Sequence, residues 1–236
     1  MTIVDRLYPR LYLRKRRVGV VGHRGSRATH PENTLAGFRH AIACGADAIE
    51  LDVVVTTDGE LAVTHDPVDA VFSDLRAGIP RLEDVLALAA GNDIVFDIEM
   101  KACGRLTPAP ADYARMVLER GDDQGLGGRI MIRSFEHEFL RAVHRLRAEL
   151  PLAALIEEGE GEWVRICEDA HAVCISPRYN MVTPDAVEKA HAAGIAVIVW
   201  TVNDLAEWAR MISMGVDAIA TDDPAAMVEW MRSAYP

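Results

Sequence analysis

From Val18 onward, short apolar runs alternate with stretches in which apolar residues recur every three or four positions. The runs read as buried strands and the periodic stretches as helices with one buried face. The β-like runs are Val18 to Val21, Ala48 to Val55, Leu61 to His65, Ile94 to Glu99, Ile130 to Ile132, Leu152 to Ile156, Val173 to Ile175, Ile195 to Val202 and Ala218 to Ala220. Asn33 or Thr34 caps a first helix carrying Leu35, Phe38 and Ile42, and Gly45 ends it. Pro80 precedes a second helix over Leu82 to Ala90, stopped by Gly91, and a third, near Ala111 to Glu119, ends at Gly121. Ser134 caps a fourth with Phe139, Leu140, Val143 and Leu146. Thr183-Pro184 opens a helix that Gly194 ends, Asn203 or Asp204 opens one running to Gly215, and Asp223-Pro224 opens the last.

Strands separated by helices imply a parallel sheet with helices outside it. At 236 residues the economical reading is a single-domain α/β fold, a slightly irregular (β/α)8 TIM-type barrel over residues 18–236. A doubly wound open sheet is the structural alternative. Nine β-like runs are one more than such a barrel needs. The excess falls at the Thr57-Asp58-Gly59-Glu60 turn, which sends the second run straight back through Leu61 to His65. No linker, repeat or low-complexity stretch interrupts the chain.

Net charge changes this picture little. It is −11 in all, but residues 1–17 carry Arg6, Arg10, Arg14, Lys15, Arg16 and Arg17 against Asp5, leaving the rest at −16. An acidic body argues against nucleic acid as a partner. The basic N-terminal extension 1–17 reads as a solvated terminus packing on the barrel floor, with weak membrane-surface contact through 6–17 as the functional alternative. No apolar run reaches the roughly 18 residues of a transmembrane segment, and nothing resembles a signal peptide, so a cytoplasmic location is expected. The four cysteines lack C-x-x-C spacing and read as reduced thiols, with Cys44 and Cys174 as small core residues.

The candidate chemistry is concentrated between residues 20 and 66. Residues two apart on a strand share a face, so Glu50 and Asp52 reach one point together. Two carboxylates there repel unless a cation sits between them, and a hard divalent metal is the simplest such partner. His23 and His65 add two groups able to move protons near neutral pH, and Arg24 a group to grip an anion. Together these describe phosphodiester chemistry. Asp97, Glu99 and Lys101 form a second same-face stripe whose burial demands partners. Glu99 as a third metal ligand, with Lys101 on phosphate or carboxylate, supplies them; a surface salt bridge is the plainer reading. Trp200 ends an apolar run and either walls the mouth beside the leaving group or belongs to the core. Thr201-Val202-Asn203 and Thr221-Asp222-Asp223-Pro224 read as helix starts.

The ordered series His23-Arg24-Gly25, Pro31-Glu32-Asn33-Thr34, Glu50-x-Asp52, Thr57-Asp58-Gly59, His65-Asp66, Ile98-Glu99-x-Lys101, Ser134-Phe135, Val199 to Asn203 and Gly215 to Asp222 resembles the glycerophosphodiester phosphodiesterase family over nearly the whole chain from Val18. The resemblance implies a (β/α)8 barrel with Glu50, Asp52 and Glu99 holding one Ca2+ or Mg2+. It also implies His23 and His65 as the acid/base pair, Arg24 on the phosphate, and cleavage of glycerophosphodiesters of the glycerophosphocholine and glycerophosphoethanolamine class to sn-glycerol 3-phosphate and an alcohol. The chain departs from the family after His65-Asp66. The stretch 67–80 is short and lacks the usual Arg-Thr-Thr start, which implies a more open mouth. The rival readings are a lysophospholipase D or sphingomyelinase D-like lipid phosphodiesterase, and a non-catalytic phosphodiester-binding barrel.

Overall fold

A computed structural model describes residues 18–126, 128–158 and 162–234. The basic extension 1–17, and with it the expectation of lipid contact, lies outside the described residues. Eight strands close into a parallel barrel: β1 (Gly19–Gly22), β2 (Ala48–Val55), β4 (Val95–Met100), β5 (Ile130–Ser134), β6 (Leu152–Ile156), β7 (Cys174–Pro177), β8 (Ala196–Val199) and β9 (Ala218–Thr221). β1 pairs in parallel with both β9 and β2, which joins the two ends of the sheet and excludes the open doubly wound alternative. The surplus run is β3 (Leu61–Val63), antiparallel to the end of β2 and outside the closed ring. Its register sets Val63 opposite Val53, and the Thr64 amide donates to Asp52 O at 3.0 Å, so the return brings His65 back towards the acids.

Helices α1 (Leu35–Cys44), α2 (Leu82–Leu86), α3 (Pro110–Asp123), α4 (His137–Leu146), α5 (Trp163–Ala170), α6 (Pro184–Ala192) and α7 (Leu205–Ser213) lie between the barrel strands, and α8 (Pro224–Ala234) follows the last of them. Strand parity divides the side chains into two cores. Ile49, Leu51, Val53 and Val55 of β2, with Phe96, Ile98 and Met100 of β4, pack outward against the helices. The interior is filled by Val21, Ala48, Val95, Met131, Ala153, Cys174, Ala196, Ile198, Ala218 and Ala220, mostly small residues that suit a narrow lumen. Above this layer the inward positions turn polar, and that change marks the site.

Several local expectations need correction. Ser134 does not cap α4. It is the last residue of β5, its hydroxyl donates to Met100 O at 2.6 Å, and Glu136 is the N-cap. Helix α3 runs through Gly121 rather than ending there. The position lies against β5, where a Cβ would stand 2.5 Å from the terminal methyl of Ile130. β8 covers only four residues of the run Ile195 to Val202. Helix α5 was not expected at all. Cys174 is buried in the lumen, whereas Cys44 is half-buried beside His40 rather than in the core. Among the described residues, no helix is long and apolar enough to cross a membrane.

Candidate active site

At the C-terminal end of β1 the chain turns sharply through Arg24 (φ 51°) and Gly25 (φ 91°). A Cβ on Gly25 would lie 2.8 Å from the Gly37 carbonyl carbon at the start of α1, so this position excludes a side chain twice over. The turn aims the Arg24 amide at Glu50 Oε2, 2.9 Å away, and leaves the His23 ring facing Asp222. The polar residues of Pro31-Glu32-Asn33-Thr34 each have a task. Glu32 accepts from the Arg24 and Arg27 guanidiniums. Asn33 Nδ2 donates to Asp52 Oδ2 at 2.8 Å. Thr34 caps α1 by accepting from the Gly37 amide.

His23 Nδ1 lies 2.6 Å from Asp222 Oδ1. Asp222 is itself pinned: Asn203 Nδ2 donates to its Oδ2 at 2.7 Å, Arg27 Nη1 to the same oxygen at 3.2 Å, and its own amide donates to Asn203 Oδ1 at 2.8 Å. Burial pushes the Asp222 carboxyl up, but the hydrogen bond and charge of His23, with Asn203 and Arg27, outweigh it and hold the group below the usual range. An ionised Asp222 only accepts, so Nδ1 carries the proton and Nε2 is the nitrogen left for other partners. Sequence reading missed this brace. The capping assigned to the two stretches is done by Asp204 and Asp223, and their neighbours Asn203 and Asp222 reach the site instead. The signal was an extra polar residue beside a sufficient cap.

Glu50, Asp52 and Glu99 converge as expected, with ligand atoms within 4.8 Å of one another and all three side chains buried. The β2–β4 register explains this: Asp52 pairs with Glu99, and Glu50 sits one inward position below. Burial, then the Asp52 charge, push Glu50 up to about 8 and Glu99 up to about 7. Asp52 is pushed up by burial too, but Lys101, Arg24 and Asn33 prevail and hold it low. Arg24 Nε is 3.2 Å from Asp52 Oδ2, and Lys101 Nζ is 3.0 Å from Glu99 Oε1 and 3.5 Å from Asp52 Oδ1. That last oxygen is buried and accepts no hydrogen bond. One level down, Asp97 of the same stripe is closed off by Arg133, which donates to both its oxygens. The acids at the mouth are thus short of positive charge, offer oxygen donors only, and include an unsatisfied one. The residues fit a hard divalent cation.

His65 follows β3, with Nδ1 3.1 Å from the exposed Asp66, and its charge is felt by Asp52. Its side chain is 37% accessible against 14% for His23. Trp200, just past β8, is half-buried, donates from Nε1 to Ser176 O at 2.9 Å and meets the half-exposed Phe135 edge-on at 5.6 Å. Phe135 immediately follows β5, so two aromatics from separate strands share the rim. The stretch 67–80 turns Val68, Phe72, Leu75 and Ile79 onto Val54 and Ala62 of the β2–β3 ribbon.

Fold and site together define a TIM-type barrel enzyme whose strand ends hold an acidic cluster fit for a cation, an aspartate-braced imidazole and two cationic side chains. The family model described as glycerophosphoryl diester phosphodiesterase matches residues 23–76 and 68–226. A glycerophosphodiester phosphodiesterase of Caldanaerobacter subterraneus subsp. tengcongensis is 32% identical, the alignment covering 90% of this chain and 97% of that protein. One of Bacillus altitudinis is 30% identical over 87% and 94%. The crystal structure of a glycerophosphoryl diester phosphodiesterase of Silicibacter pomeroyi, described there as putative, superposes with a TM-score of 0.85 at 27% identity, covering 91% of this chain and 94% of that one. The chain belongs to the glycerophosphoryl diester phosphodiesterase family.

Proposed function

We propose that this chain hydrolyses glycerophosphodiesters to sn-glycerol 3-phosphate and an alcohol, with Glu50, Asp52 and Glu99 holding one Ca2+ or Mg2+ and His23 and His65 moving the protons. The observation that carries the reading is the convergence of the three carboxylates beside Arg24 and Lys101 at the mouth of the barrel. When bound, the cation supplies positive charge where the phosphoryl oxygens gain negative charge. Arg24 and Lys101 lie against the same carboxylates, so their charges address the same growing charge on the substrate. His23 presents Nε2 because Asp222 engages Nδ1, and the Asp222 anion favours the imidazolium that forms when His23 takes up a proton. His65 supplies the partner step: one imidazole removes the nucleophile's proton and the other protonates the leaving oxygen. The same pair serves attack by the glycerol 2-hydroxyl or by water. Trp200 and Phe135 offer the alcohol an apolar wall.

The second reading, lysophospholipase D-like action on lipid diesters, is favoured by the folding of 67–80 onto the β2–β3 ribbon, its apolar side chains covering that ribbon. The test is an assay coupled to glycerol 3-phosphate over several glycerophosphodiesters, with and without chelator, repeated for His23→Ala and Glu50→Ala. Loss of activity in chelator and in both variants is expected. Full activity in chelator, or in either variant, overturns the mechanism, and faster turnover of lysophosphatidylcholine micelles than of glycerophosphocholine selects the second reading.

A further inference from the structure

Parity and register set four inward carboxylates on two neighbouring strands. Glu50 of β2 lies opposite Asp97 of β4, and Asp52 opposite Glu99, so the acids form a two-by-two ladder about 4.8 Å across. Asp52, Glu99 and Glu50 make the cluster fit for a cation, and Asp97 is the rung left out of it. Arg133 of β5 lies opposite Glu99 in the next register and also points inward, since Ile130 and Ile132 pack outward. Its guanidinium nevertheless turns away from Glu99 and down to Asp97: Nε donates to Oδ1 at 2.6 Å and Nη2 to Oδ2. Arg24 and Lys101 address the cluster from its partly open side, whereas Arg133 and Asp97 are both buried in the lumen. The rest of that lumen is lined by apolar residues, mostly small. A buried ion pair gives little net stability over apolar residues of the same volume, so stability alone does not account for this one. Charges interact far more strongly in a buried site than in water. Arg133 favours the anionic form of Glu50 and Asp97 opposes it, so both reach the ligand set electrostatically.

We infer, resting on the cation reading of the mouth, that Asp97 is a positioning residue: it holds the Arg133 guanidinium away from the three carboxylates so that the cation, and not Arg133, occupies them. An arginine fork matches a carboxylate with two parallel hydrogen bonds, and here Asp97 takes that fork. Without the Asp97 anion, the same fork has Glu99 beside it in register and Glu50 across the ladder, and it competes with the ion for their oxygens. The pair thus keeps a permanent positive charge close to the ligands without letting it take their place.

The test titrates the full chain with Mn2+, the paramagnetic stand-in for Mg2+ or Ca2+, and follows the free ion by electron paramagnetic resonance, so the readout does not depend on turnover. The unmutated protein should take up one equivalent and Glu50→Gln should lose that uptake; failure of either overturns the cation reading and this inference with it. Given that uptake, Asp97→Asn is expected to weaken binding by about 10- to 100-fold, the usual cost of disturbing a partner behind a metal ligand. Adding Arg133→Gln to Asp97→Asn removes the competing guanidinium and should return the affinity towards that of the unmutated protein. A loss of packing alone would leave the double variant no better than the single one. Asp97→Ser repeats the single change without an amide, and thermal melts in chelator verify that each variant folds. Undiminished affinity in both single Asp97 variants, or a double variant as weak as Asp97→Asn, overturns the role of Asp97 and leaves the cation reading in place.

Discussion

Asp222 shows how a single carboxylate sets the chemistry of its neighbour. It holds His23 at 2.6 Å and is in turn fixed by Asn203 and Arg27, so the ring has one orientation and one tautomer. Replacing Asp222 with Asn keeps the size and a hydrogen bond but removes the anion that supports the imidazolium. A fall in kcat of about 10²- to 10⁴-fold is expected, the range of a positioned general acid or base, with KM changed far less. Steady-state kinetics separate kcat from KM, and an unchanged kcat would reduce Asp222 to packing. Residues were legible in the sequence where spacing alone placed them. Glu50 and Asp52 share a strand face by parity, as do Asp97, Glu99 and Lys101, and the structure brings four of these five to the mouth. Parity could not tell which of Asp97 and Glu99 would be free, because that depends on Arg133, a partner from another strand. Nor could it reveal Asp222, whose meaning arises only when β9 lies beside β1.

At the level of elements, the ordered strand–helix alternation carried most of the fold, and the failures have local causes. α5 is eight residues long, starts without a side-chain cap, and its Trp163-Val164-Arg165-Ile166-Cys167 stretch is too densely apolar to show a helical period. Gly121 reads as a stop signal in sequence, yet the helix carries it on to Asp123, because its φ is an ordinary helical one and it lies packed against Ile130 of β5. The β1–α1 connection is the element on which the site most depends, since it carries His23, Arg24, Glu32 and Asn33 within a dozen residues. Its geometry rests on Gly25, whose φ of 91° and approach to the Gly37 backbone leave no room for a methyl group. Gly25→Ala is therefore expected to destabilise the protein by more than about 1 kcal/mol, since the clash is with backbone, which cannot rotate away. Activity should fall further than stability, because the Arg24 amide loses its aim on Glu50. Urea melts with parallel assays measure the two losses. A variant as stable and active as the parent would show that the turn relaxes freely.

For the whole molecule, the acidic mouth makes stability depend on pH in a direction opposite to that of acids held low by cationic partners. Without a cation, the folded protein holds Glu50 up at about 8 and Glu99 up at about 7, against about 4.5 for either group in the unfolded chain. Between those limits the folded state binds more protons than the unfolded one, so the stability these two groups contribute is full below about pH 4.5 and is lost as pH rises through about 8. Asp52 and Asp222 act in the other sense. Both are held low, so their contribution is present above the unfolded value of 3.8 and fades only as pH falls through their folded values, leaving the neutral range to Glu50 and Glu99. A divalent cation takes the place of the missing protons. Its stabilising effect should therefore grow steadily from mildly acidic to mildly alkaline pH, and its binding should release protons near neutrality. Thermal melts in chelator and in saturating Mg2+ or Ca2+ across that range give the first quantity, and calorimetry in buffers of differing ionisation enthalpy gives the second. Glu50→Gln supplies the control: its neutral amide mimics the protonated acid, so the metal-free melt should lose most of its alkaline decline while the gain from cation disappears. A cation effect that is flat with pH, or one that survives in Glu50→Gln, would mean that the ion binds elsewhere and that these carboxylates answer only to Arg24 and Lys101.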